Sequence, residues 1–217
     1  MQSIRDEVHV RGFAFRAAYS PRLANDALAL QVGVPIALGS GCPVHFLTPA
    51  PKEHCPPTSY SGIYGLGTFP LHTDLAHHRR PPRYFMLRCS APDDGVGTIL
   101  ADSADIIASV GASLLSRALV QPRRLRNGTR PLLRLLDPAL HLFRWDIEFI
   151  RPASDAGEEA VLAVSNALKR QPVTEVRLGR LGDLVVIDNW RMLHGRTAVP
   201  PSSHGRRIAR VYLGGLH

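Results

Sequence analysis

His72 and Asp74 stand two residues apart in the run Phe69-Pro70-Leu71-His72-Thr73-Asp74. In extended chain, positions i and i+2 share a face. This imidazole and this carboxylate can therefore reach one metal ion together. A third ligand is still required. His194 supplies it from a distant segment, Asp188-Asn189-Trp190-Arg191-Met192-Leu193-His194-Gly195-Arg196, where a loop just past an apolar strand can present it to a cavity. Two histidines and one carboxylate make a facial triad, the ligand set suited to iron(II) and O2. Such a set leaves positions open for a bidentate cosubstrate and O2, unlike a closed structural zinc site. A single histidine carries little weight, as His77, His78 and His204 illustrate. The ordered set carries more.

Arginines extend the pattern. Arg206 and Arg210 follow His194 in the strand-like run Arg206-Arg207-Ile208-Ala209-Arg210 and share a face, while Arg207 points the other way. A dicarboxylate with one end on the metal needs a partner for its other carboxylate. The arginine fork meets it with paired hydrogen bonds.

These groups need elements to hold them. A helix is expected over 20–33, capped by Ser20, with Pro21 in its first turn and Gly33 at its end. Apolar spacing predicts further helices over 104–119 and 158–169. Strands are expected at 84–89, 97–101, 141–150, 173–178, 184–187 and 208–213, and 44–47 is a short apolar run closing at Pro49. Residues 35–41 read as a loop or short strand. Pro49, Pro51, Pro56 and Pro57 make 49–58 a loop. Many short strands with few helices indicate a mainly β chain, a barrel or sandwich with flanking helices. No GxGxxG follows a strand, which argues against a doubly wound sheet.

Composition narrows the function classes. A chain of 217 residues fits one domain. No run approaches the roughly 20 apolar residues of a membrane span, and the N-terminus, with Arg5, Asp6 and Glu7, lacks an apolar leader core, so a cytoplasmic protein is expected. Cys42, Cys55 and Cys89 form no disulfide framework. The net charge of +8 is almost all arginine, since Lys52 and Lys169 are the only lysines. A basic nucleic-acid-binding module is thus one rival reading. Yet the arginines are scattered, as at Arg79, Arg80, Arg83 and Arg88 and again at Arg123, Arg124 and Arg126, with no aromatic ladder between them. A small-molecule partner is therefore expected, not nucleic acid.

Taken together, Phe-Pro-Leu-His-Thr-Asp at 69–74, Gly-Val-Gly-Thr at 95–98, the run 182–196 and Arg-Arg-Ile-Ala-Arg-Val-Tyr-Leu at 206–213 resemble the taurine dioxygenase and clavaminate synthase-like family of iron(II)/2-oxoglutarate oxygenases. The resemblance implies a double-stranded β-helix, a distorted, cupin-like jelly roll. It implies one domain over 1–217, with a short helical and loop part over 1–58 and a core over about 60–213. By resemblance, His72, Asp74 and His194 hold Fe(II). Thr98 and Arg206 take the distal carboxylate of 2-oxoglutarate, with Arg207 as the competing assignment. Arg210 meets cosubstrate or substrate. Arg144 and Arg83 are further candidates to line the cavity. With Asp74 as a ligand, hydroxylation, desaturation or ring closure is expected over halogenation. The expected substrate is small and amino-acid-like, in specialised metabolism such as antibiotic biosynthesis. The part before the core and the lid between the ligands are short for the family, and an open mouth would admit a larger sugar-bearing or carrier-linked compound instead. A cupin-type isomerase or zinc hydrolase with the same ligands is the other rival, but it needs no clamp for a distal carboxylate.

Overall fold

The computed structural model describes residues 2–38, 41–125 and 128–217. Two antiparallel sheets face each other. The larger runs in the order Phe13–Arg16, Leu184–Asp188, Tyr84–Ala91, Arg207–Leu216, Gly33–Ile36, with Val44–Leu47 also paired to Arg207–Leu216. The smaller runs Thr174–Arg177, Gly97–Asp102, Met192–Arg196, Phe69–His72. This is the jelly roll that the family resemblance implied, and it fits the mainly β reading of the strand pattern.

Alternation along each strand builds the layers. Phe85, Leu87, Val185, Ile187, Ile208 and Tyr212 of the larger sheet meet Leu100, Val176 and Met192 of the smaller one between them. The alternate residues of the larger sheet, Tyr84, Met86, Val186 and Val211, are covered by Val8 of helix Ile4–Arg11 and by Leu28, Ala29 and Val32 of helix Asn25–Val32. Helices Ser103–Val110, Ala112–Arg117 and Asp155–Leu168 cover Ala101 and Leu193 on the back of the smaller sheet. Among the described residues no helix is long and apolar enough to cross a membrane.

Several expected elements differ, each for a physical reason. The helix foreseen over 20–33 begins only at Asn25, and Ser20 does not cap it. Ala18 and Ser20 have positive φ, both 46°. They lie in a turn organised by buried Arg88, whose guanidinium donates to Ser20 O at 2.6 Å, Leu23 O at 2.7 Å and Asn25 Oδ1 at 2.8 Å. Helix 104–119 is broken at Gly111, whose φ of 97° ends one helix and opens the next; Leu119 starts a strand. The strand expected over 141–150 shrinks to Leu142–Phe143 and a later strand, Ile150–Pro152. Between them the chain turns, and Asp146 Oδ1 accepts from Glu148 N at 3.1 Å. Residues 1–58 are more than helix and loop, because Phe13–Arg16, Gly33–Ile36 and Val44–Leu47 all join the larger sheet. Gly39 and Ser40, within the segment read as loop or strand, and Arg126 lie outside the described residues.

Candidate metal centre

Three adjacent strands of the smaller sheet set the site. His194 lies inside strand Met192–Arg196, not in a loop beyond a strand as expected. It is directly opposite His72 on one side and Leu100 on the other. His72 ends its strand, and Asp74 sits in the turn that follows. Thr73 anchors that turn: its N–H donates to Trp145 O at 2.7 Å, and its hydroxyl accepts from Trp145 N at 3.0 Å. The Nδ1–H of His72 donates to Pro70 O at 2.8 Å, which turns Nε2 towards the site. Asp74 Oδ1 then lies 3.7 Å from His72 Nε2 and 3.6 Å from His194 Nε2. The three ligand atoms fall within 4.8 Å of one another. The two carboxylate-to-imidazole distances lie within the roughly 4.2 Å that two donors about 2.1 Å from a shared ion can span.

The neighbours prepare these donors. Tyr212 OH donates to Asp74 Oδ2 at 2.7 Å and Arg210 Nη1 at 3.2 Å, leaving Oδ1 to the histidines. Burial alone would raise the Asp74 carboxyl. Arg210, with His194 and His72, instead holds it well below the usual carboxylate range. Burial and the charge of His72 push His194 down to about 4, so its ring is neutral with a free electron pair. His194 Nδ1 is buried with no partner among the described residues. Burial would also lower His72, but the hydrogen bond and charge of Asp74 outweigh it and raise that ring. An anionic carboxylate between two imidazoles, all buried, is a donor set that fits a divalent cation.

Gly195 permits the close strand approach. A Cβ there would stand 2.7 Å from Phe69 O and 3.3 Å from Pro70 O. Gly195→Ala is expected to push His194 away from His72, costing about 1–3 kcal/mol of stability and weakening metal binding. Thermal melts and metal titration check both.

The triad opens into a cavity of about 670 Å³. Tyr60 stacks on the His72 ring at 4.0 Å, and its hydroxyl donates to Asp146 Oδ1 at 2.9 Å on the cavity wall. Burial raises the Asp146 carboxyl to about 6. Away from Asp74, the wall carries Thr98, Arg196 and Arg206. Thr98 and Arg196 are direct cross-strand partners. Arg206 is only 6% exposed, and its Nε has no hydrogen-bond partner among the described residues. Burial lowers its pKa, with Asp93 opposing. Burial and the like charge of Arg206 bring Arg196 to about 10.

The structure thus brings His72, Asp74, His194, Thr98, Arg206 and Arg210 around one cavity. Arg207 is not among its lining residues; it is exposed and stacks on Phe46 at 3.6 Å. Arg210 has an unforeseen partner in Asp74. Arg144 and Arg83 do not line this cavity. Arg144 is buried against the carbonyls of Ala76, His78, Arg79 and Arg134, and Arg83 pairs with Asp188 at 3.2 Å. Sequence reasoning also missed Tyr60, Tyr212, Arg196 and Asp146 as wall residues. Of these, only Tyr212, two residues beyond Arg210 on a strand, carried a usable signal.

A family model described as taurine catabolism dioxygenase TauD, TfdA family, matches residues 146–212. Clavaminate synthase 2 of Streptomyces clavuligerus is 30% identical over 212 residues, covering 88% of this chain and 62% of that protein. The likeness to the TauD, TfdA model is thus carried by the C-terminal third of the chain. The match to the TauD, TfdA model takes in His194, Arg206 and Arg210, whereas His72, Asp74 and Thr98 lie upstream of it. The fold is shared with solved oxygenases. Asparagine oxygenase, in complex with Fe(II), a hydroxyasparagine and succinate, superposes with a TM-score of 0.64 at 19% identity, covering 84% of this chain and 60% of that one. Non-haem iron oxygenase OrfP, with Fe, succinate and (3S)-hydroxy-L-Arg, gives 0.59 at 24% identity, covering 78% and 55%. This chain spans about 62% of the length of clavaminate synthase 2.

Proposed function

We propose that the chain is an iron(II)/2-oxoglutarate-dependent oxygenase that oxidises a small amino-acid-like substrate. The observation that carries this reading is one cavity holding both an open two-histidine, one-carboxylate cluster and, with Thr98, buried Arg206, whose Nε has no hydrogen-bond partner among the described residues. A metal hydrolase or isomerase does not require a clamp for the distal carboxylate of a cosubstrate. With iron and 2-oxoglutarate bound, the centre supplies the oxidising chemistry: 2-oxoglutarate, O2 and substrate become succinate, CO2 and hydroxylated substrate.

The protein's own part is placement. His72, Asp74 and His194 hold the metal. Arg206 and Thr98 bind the distal carboxylate of the cosubstrate. Arg210 and Tyr212 fix Asp74. Tyr60, Phe149 and the loop around Pro49 wall off water. Because Asp74 occupies its ligand position, hydroxylation is favoured over halogenation. Opposite charges on the cavity wall, Asp146 on one side and the arginines on the other, suit a zwitterion. Asparagine oxygenase and OrfP were solved with hydroxylated amino acids, which supports the substrate class. Kinship with clavaminate synthase 2 supports a place in specialised metabolite biosynthesis.

Two measurements test this. An anaerobic titration of the Fe(II)-loaded protein with 2-oxoglutarate should give a saturable new absorption band. A screen of free amino acids should then give succinate release coupled to oxidised product. Turnover without 2-oxoglutarate would remove the oxygenase reading. Coupled turnover only with carrier-linked compounds would remove the free amino acid.

A further inference from the structure

Asp74 is unusual among the three ligands because it lies outside regular structure. A carboxylate in a turn needs something else to fix it. Leu75, the next residue, has φ of 57°. That left-handed conformation costs a residue with a Cβ about 1–2 kcal/mol and persists only where the surroundings impose it. The imposing group is Asn189, which is fully buried. Its Oδ1 accepts from Asp74 N at 2.7 Å, and its Nδ2 donates to Asp74 O at 3.0 Å and to Pro82 O at 3.0 Å. Its own N–H donates to Arg83 O at 2.7 Å. One side chain thus grips both peptide groups of Asp74 and the far end of the same loop.

Asn189 stands in the turn that joins Leu184–Asp188 to Met192–Arg196, the strand bearing His194. The neighbouring Trp190 adds a bond from Nε1 to Pro81 O at 3.0 Å. The loop carrying Asp74 is therefore tied to the chain that carries His194, not merely to the nearest core.

We propose that Asn189 is a positioning residue for the metal: it sets the Asp74 carboxylate at its distance from the two histidines. Tyr212 and Arg210 orient the carboxylate from the other side, but they cannot stop the turn from relaxing at Leu75. The proposal rests on the triad being a metal centre, and the experiment separates the two.

Co(II) and Fe(II) affinity is measured by calorimetry on the full chain, together with the visible spectrum of the Co(II) form and a thermal melt. Wild-type protein should bind one ion. Asn189→Ala should bind it about 10–100-fold more weakly, the usual scale for partners that orient metal ligands, with an altered Co(II) spectrum. Val164→Ala, in the core behind the smaller sheet, should lower the melting temperature while leaving affinity and spectrum unchanged. Should Asn189→Ala not fold, Asn189→Ser leaves a hydroxyl too short for the grip and carries the same expectation. Unchanged affinity and spectrum in the folded variant overturn the role of Asn189 and leave the metal centre standing. Wild-type protein that binds neither ion overturns both.

Discussion

His72→Ala, Asp74→Ala and His194→Ala should each reduce oxidative turnover by at least about 10²–10³-fold, the scale seen when one electrostatic partner leaves a catalytic centre. An open site has three protein donors and no spare. Losing one removes affinity and geometry together. The three variants should not, however, be equal in stability. His194 has a buried Nδ1 with no hydrogen-bond partner among the described residues, so its removal breaks no hydrogen bond at that atom. His72 loses its bond to Pro70 O and its contacts with Asp74 and the Tyr60 ring. Asp74→Ala strands buried Tyr212 and half-buried Arg210, both aimed at its Oδ2. Breaking a buried ion pair from one side typically costs 3–5 kcal/mol. Asp74→Ala should therefore melt well below the two histidine variants, and Asp74→Asn should recover much of that loss without recovering turnover. Full activity in any alanine variant would falsify the triad.

What the sequence made legible was local. His72 and Asp74 lie two apart, and the run ending His194-Gly195-Arg196 is long enough to be specific. Strands such as Tyr84–Ala91 and Gly97–Asp102 carry their own apolar pattern. Strand parity favoured Arg206 but left Arg207 as a competing assignment; in the folded chain Ile208, Arg210 and Tyr212 line the cavity with Arg206. What stayed hidden depends on distant partners. The turn before Asn25 is dictated by Arg88, far along the chain. Residues 144–149 lose their strand because Arg144 and Asp146 spend their polar groups on tertiary bonds. Nothing local says that Arg210 pairs with Asp74, that Tyr60 stacks on His72, or that Asn189 grips the metal-binding turn. Each of these is a contact between segments that only the folded sheets bring together.

Arg206→Met should raise the 2-oxoglutarate requirement sharply while barely changing metal affinity. Arg206 is buried, and among the described residues its Nε meets no acceptor. Losing one partner of a buried charged contact costs about 2–5 kcal/mol of binding, which at 1.36 kcal/mol per factor of ten is at least roughly 30-fold in affinity. Thr98→Val, which removes a single neutral hydrogen bond, should cost nearer 0.5–1.5 kcal/mol. Stability should move the other way. In ligand-free protein Arg206 is a desolvated cation that repels Arg196 and is offset in part by Asp93. Replacing such a charge by an apolar side chain of similar volume is often neutral or stabilising. The Arg206→Met protein should thus melt no lower than wild type without cosubstrate, and gain less stability when 2-oxoglutarate is added with metal. Arg207→Ala is the control, since Arg207 stacks on Phe46 at the surface. If Arg207→Ala weakens 2-oxoglutarate binding and Arg206→Met does not, the clamp lies on the opposite face of the strand. The unpartnered Nε of Arg206 would then need another anion to explain it.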